Sequence, residues 1–156
     1  MTNIQSVDPW VEGPLKTFVA EAGARLALLM TPAGQVIAQH GFTRAVDVMA
    51  AAALGAAIVA STGEVAKMLD EEQFSALNHQ GAQHGIFLAG FDSPRGRMVS
   101  LVVYGPESSP GLVQVFFEEF TRELVAACPA PETPKKVLAA DFERELNESL
   151  ATLFRS

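Results

Sequence analysis

The chain has 156 residues, 49% of them hydrophobic and 19% charged, the proportions of a folded globular protein large enough to bury one sizeable core. Its 11 basic and 18 acidic side chains leave a formal charge of −7, which argues against nucleic acid and anionic membrane surfaces as partners. A lone cysteine, Cys128, excludes an intrachain disulfide and cannot alone build a zinc site, so a reducing, cytoplasmic setting is expected.

Residues 1–13 have neither a basic n-region nor an apolar h-region, so no signal peptide is expected and the segment reads as an irregular arm. Pro14 suits a first helical position, and Leu15, Phe18, Val19 and Ala22 follow at helical spacing up to Gly23. Arg25 to Thr31 is a continuous apolar run that stops at Pro32-Ala33-Gly34, and Val36-Ile37-Ala38 resumes it, which predicts a β-hairpin. A long helix is predicted over Asp47 to Leu69, with Thr43 or Asp47 as its cap. The acidic Asp70-Glu71-Glu72 opposes the dipole at its end. Phe74 to Gln80, Ile86 to Phe91 and Met98 to Tyr104 read as three strands, the last the strongest, with Asp92 to Gly96 as a loop. Leu112 to Ala127 reads as a helix through Leu112, Val115, Phe116, Phe120 and Leu124.

Three prolines between Cys128 and Pro134 predict a stiff, extended linker. Beyond it, Leu138, Phe142, Leu146, Leu150 and Leu153 recur at steps of three and four, with Asp141, Glu143, Arg144, Glu145 and Glu148 on the other sides of a helix. The expected organisation is a domain over residues 1–128, a linker over 129–136 and a C-terminal partner-binding helix over 137–156. Hairpins interleaved with helices predict an α+β domain with an antiparallel sheet.

The long helix sets the functional question. Leu54, Ile58, Val65, Met68 and Leu69 mark a stripe expected to be buried, while Ala53, Ala56, Ala57 and Ala60 mark a second apolar face where a surface helix would carry charge. That face has three readings: close packing on the sheet, a homodimer seam, or a platform for another protein. The longest apolar run, Val48 to Ala60, is too short for a membrane span, so no membrane insertion is expected.

Catalytic patterns are scarce. Cys128, His79 and His84 lack the spacing of a thiol–imidazole pair, and His40, His79 and His84 lack companions at metal-ligand spacing. The glycines form neither a Walker A nor a dinucleotide fingerprint. No cofactor, no metal and no catalytic residue is expected, and the helix–sheet interface reads as too apolar to cradle a small molecule.

The strand–turn–strand LALLMTPAGQVIAQHG, followed by an alanine-rich helix, resembles the opening of the roadblock / dynein light chain domain. Within that family EVAKMLDEEQFSALNHQG and the terminal LAADFERELNESLATLFR are similar to the bacterial MglB group, regulators of the Ras-like GTPase MglA. The likeness covers about residues 14–155. The family's turn often carries D-x-x-G where this chain has Thr31-Pro32-Ala33-Gly34. The resemblance implies a five-stranded antiparallel sheet between a long central helix and two shorter ones, with an extra C-terminal helix. It also implies a homodimer whose long helices lie side by side, presenting a platform to the switch regions of one MglA-like small GTPase and accelerating GTP hydrolysis in cell polarity or motility. Carried over by position, Ala56, Ala57, Ala60 and Glu64 fall on the contact face, with Ala53 among the alanines expected to line the seam and platform, and Phe142, Leu146, Leu150 and Leu153 fall on a helix reaching a second site. A scaffold without effect on turnover and a small-molecule sensor domain are the alternatives.

Overall fold

The computed structural model describes residues 9–72, 75–129 and 134–154, with the side chains of residues 134–142 left aside. The elements run α1 (Pro9–Ala22), β1 (Ala24–Met30), β2 (Val36–His40), α2 (Ala45–Met68), β3 (Leu77–Gln80), β4 (Gly85–Ser93), β5 (Gly96–Tyr104), α3 (Pro110–Ala127) and α4 (Pro134–Leu153). The aliphatic runs predicted as strands pair into one antiparallel sheet of order β2-β1-β5-β4-β3. Leu28 and Leu88 both stand opposite Leu101, so the large side chains of three neighbouring strands form one row.

Period-two alternation sends those strands' side chains to two separate cores. Ala27, Leu29, Phe87, Ala89, Met98, Val102 and Tyr104 meet α1 and α3 on one side. There Phe18 stacks on Phe120 with centroids 5.1 Å apart, and Phe87 meets Phe117 edge-on, also at 5.1 Å. Leu28, Met30, Leu88, Val99 and Leu101 face the other way and are covered by Val48 and Ala52 of α2. The sheet is therefore sandwiched between the long helix and the two shorter ones, as expected.

Several boundaries differ from the sequence reading, each for a local reason. α1 starts at Pro9, so Pro14 lies inside the helix. Val11 is buried one turn before Leu15 and holds the extra turn against the core. α2 begins at Ala45 with Arg44 as N-cap and no side-chain capping bond, so neither Thr43 nor Asp47 caps it. It ends at Met68, where Asp70 turns left-handed (φ 57) and the Glu71 amide donates to the Ala66 carbonyl at 2.9 Å. β3 spans only the last part of its predicted range; residues 73–74 lie outside the described residues. In α3 the buried side chains are Val113, Phe117, Phe120 and Leu124, whereas Leu112 and Val115 are exposed. Ser109 sets that phase: its Oγ accepts from the Leu112 amide at 3.2 Å, and Pro110 occupies the first turn. α4 begins at Pro134, inside the expected linker.

Two small polar devices close the sandwich. In the β1–β2 turn, where the family often has aspartate, the Thr31 Oγ1 accepts from the Gln35 amide at 3.1 Å and Gly34 takes the positive φ of 88°. At the opposite end of the sheet, Arg25 forks onto Glu107, with Nε donating to Oε1 at 3.0 Å and Nη2 to Oε2 at 3.3 Å. Its Nη1 donates to His84 Nε2 at 2.7 Å. The Arg25 hydrogen bond holds the Glu107 carboxyl below the usual carboxylate range.

Candidate functional site: the outer face of α2

The seating of α2 is decided by size. Met30 rises from β1 so close to the helix that a Cβ at Gly55 would sit 2.5 Å from its Cε. The sheet supplies the bulk and the helix supplies the space. The buried positions of α2 are accordingly Val48, Ala52, Gly55 and Ala66, with Ala51 and Val59 partly buried beside them.

The stripe expected to be buried is therefore the exposed one. Leu54 is 66% exposed, Val65 47%, Met68 82% and Leu69 63%, and Ile58 is exposed as well. Val46 and Met49 extend the same surface toward the helix start. Of the fifteen large hydrophobic side chains exposed among the described residues, seven lie on α2 or its C-cap, which makes this helix the main apolar surface among those residues. The physical reason for the inversion is the absence of a polar face. With apolar residues on every side, spacing alone does not say which stripe meets the sheet.

Ala53, Ala57, Ala60 and Glu64 are exposed and recur at steps of three and four, so they share one stripe beside the large residues. Ala56 is half-buried on the flank, its Cβ 3.5 Å from where a Cβ on Gly34 would stand. The polar side chains do little to interrupt this surface. Ser61 Oγ donates back to the Ala57 carbonyl at 2.8 Å and Thr62 Oγ1 to the Ile58 carbonyl at 3.0 Å. Glu64 and Lys67 neutralise one another at 3.1 Å. The result is a ridge of small residues flanked by large ones, a shape that admits close approach of another backbone and offers apolar area to bury. By length and composition α2 is also long and apolar enough to cross a membrane, contrary to the sequence reading, but its inner face is seated on the sheet.

The second candidate surface is α4. Leu146, Leu150, Leu153 and Phe154 are exposed, alongside the exposed Glu143, Arg144, Glu145 and Glu148. The Phe142 side chain lies outside the described residues. Among the described residues no group of three or more His, Cys, Asp and Glu could hold a metal ion. His84 is engaged by Arg25, and Cys128 is a half-buried free thiol at the C-cap of α3.

One feature departs from the expectation of a helix–sheet interface too apolar to cradle a small molecule. Between the C-terminal half of α2 and strands β3 to β5 lies a cavity of about 570 Å³ that includes Thr62, Lys67 and Arg97 as well as apolar side chains.

The sequence profile described as "Roadblock/LC7 domain" matches residues 13–103. The chain belongs to the Roadblock/LC7 domain family. Among solved structures this roadblock chain is similar to Myxococcus xanthus MglB, with 26% identity and a TM-score of 0.69 over 77% of this chain and 95% of that one. It is also similar to the gliding protein MglB from Thermus thermophilus, with 22% identity and a TM-score of 0.67 over 81% of this chain and 96% of that one. A Roadblock/LC7 domain from Streptomyces avermitilis, 13% identical, superposes with a TM-score of 0.62 over 77% of this chain and 95% of that one. No curated protein matches the chain.

Proposed function

We propose that this roadblock protein is a cytoplasmic, homodimeric regulator of an MglA-like small GTPase, acting in cell polarity or motility. The observation that carries the reading is the apolar outer face of α2, left open by a fold similar to that of MglB. Two copies lying helix beside helix along Ala53, Ala57 and Ala60 bring small residues together, and the flanking large side chains then gain cover. The paired helices, including Ala56 and Glu64, form the platform for the GTPase switch regions. α4, through Phe142, Leu146, Leu150 and Leu153, engages a second site on the GTPase as an amphipathic helix in a groove. In this division residues 1–128 are the dimerising domain, 129–136 a tether and 137–156 the reaching helix.

The regulator contributes binding energy rather than reacting groups. A partner that binds the hydrolysis-competent switch conformation more tightly than the others shifts the GTPase toward it, and differential affinity is all that this requires. The test is single-turnover GTP hydrolysis by an MglA-like GTPase with and without this protein, under conditions where complex formation is verified. Faster turnover supports activation. Unchanged turnover in a verified complex overturns activation and leaves the scaffold reading, and no complex with any such GTPase overturns both.

A further inference from the structure

The cavity beneath α2 has features that the packing of the chain does not explain. Gly63 lies in the interior of a long helix, where glycine is the poorest residue short of proline. Unlike Gly55, whose Cβ would strike Met30, a Cβ on Gly63 would meet no heavy atom within 4 Å. Its missing side chain leaves open the roof of a cavity of about 570 Å³ whose apolar walls include Val59, Leu77, Leu88 and Val99. That volume falls in the range of small-molecule sites, about 300–1,000 Å³.

A cation is laid into the wall. A Cβ on Gly90 would stand 2.8 Å from Arg97 Nη2 and 3.1 Å from its Nε, so glycine at that position is what lets the guanidinium lie along β4. Among the described residues Arg97 is held by a single ion pair, Nη1 donating to Asp92 Oδ1 at 3.2 Å. The Asp92 side chain is 84% exposed against 31% for Arg97, so the carboxylate that pairs it stands in water and is exchangeable. Lys67 and Glu72 also line the cavity, the Lys67 ammonium being paired with Glu64 at 3.1 Å.

We propose that this cavity binds a monocarboxylate with an apolar body, the chain or ring lying beneath Gly63 and the carboxylate on Arg97. An apolar interior with one planar bidentate donor group fits a single carboxylate, and Glu72 disfavours a second acidic group. The site lies on the inner side of α2 and does not depend on the GTPase reading, which uses the outer side.

Isothermal titration of the full chain with decanoate tests it, with decanol and decylamine as uncharged and cationic counterparts. The expected result is saturable binding of one decanoate per chain, weaker binding of decanol and none of decylamine. Arg97→Gln weakens decanoate by at least about tenfold and leaves decanol unchanged, and Gly63→Leu, which fills the roof, abolishes both. Absence of saturable decanoate binding up to about 1 mM overturns the proposal. So does binding that both variants leave intact, which would place the ligand on the exposed face of α2 or on α4. Should Gly63→Leu fail to fold in a thermal melt, Arg97→Gln and the contrast between decanoate and decylamine decide the matter, because Arg97 stands at the cavity wall rather than in either core.

Discussion

Placing arginine on opposite sides of α2 separates the face that holds the fold from the face that is free. Ala52 is fully buried, with Leu28, Met30, Leu88, Val99 and Leu101 in its cluster. Ala52→Arg forces a long side chain into that layer, at about 1–3 kcal/mol for overpacking. It also leaves a charge without a partner, at a further 3–5 kcal/mol or so. The sum, on the order of 5 kcal/mol, is comparable with the whole stability of an ordinary domain. At about 2–4 °C per kcal/mol for a chain of this size, the melting temperature falls by at least about 10 °C, or the chain does not fold. Ala60 is exposed, and Ala60→Arg changes monomer stability by no more than about 0.5 kcal/mol. What it removes is close approach at the proposed seam, so the dimer dissociates at least about tenfold more readily. Circular dichroism melts over a concentration series, read beside light scattering on a sizing column, distinguish the two. The wild type melts higher as concentration rises, Ala60→Arg is insensitive to concentration, and the two converge at the dilute end. An Ala60→Arg chain unfolded at every concentration, or an Ala52→Arg chain as stable as wild type, would refute the seating of the helix.

Two further outcomes follow from features at the edges of the fold. Deleting residues 135–156 leaves the melting temperature within about 2 °C while reducing the effect on the GTPase; a fall of 5 °C or so would mean that the helix packs on its own domain. Glu107 has its carboxyl held below the ordinary value of 4.5, chiefly by the Arg25 hydrogen bond. A group whose folded value is lowered adds stability above its unfolded value and loses it as the pH falls through the folded one. The wild type is therefore more stable than Glu107→Gln at neutral pH, and the gap closes below about pH 4, as melts from neutral pH down to about pH 3 would show; a gap that persists at the acid end would mean that the pair is not its source.

The sandwich is legible in the chain because its signals are strong and local. Met98 to Tyr104 and Ile86 to Phe91 alternate between two cores, each bounded by turn residues. The phases of the helices are harder to read. In α3, Leu112 and Val115 are as apolar as Val113 and Phe117, and only the Ser109 cap with the aromatic cluster chooses between them. In α2 the sheet-facing positions are among the smallest side chains, because Met30 and its neighbours fill the gap. A rule that assigns the largest apolar residues to the core inverts such a helix. Such a rule places Ala53, Ala57 and Ala60 outward, as they are, but not Leu54 and Met68. The helix–sheet cavity leaves no local trace in the sequence because Thr62 and Lys67 of α2 meet Arg97 of β5 only across the fold.

The strand order bears on how the chain assembles. β1–β2 and β4–β5 are hairpins with short connections, whereas β1 reaches β5 only by closing a loop that contains α2 and the strands between. Local hairpins form quickly, and a non-local pairing must meet its closure entropy before contacts reward it. Until those hairpins meet, the layer beneath Ala52 and Gly55 is missing, and α2 is a helix apolar on every side with no floor. The helix proposed to dock another chain is in that interval a segment exposed to aggregation. Synthesis order lengthens the interval: α2 emerges ahead of the β4–β5 half of its floor, and how soon those strands follow sets the wait.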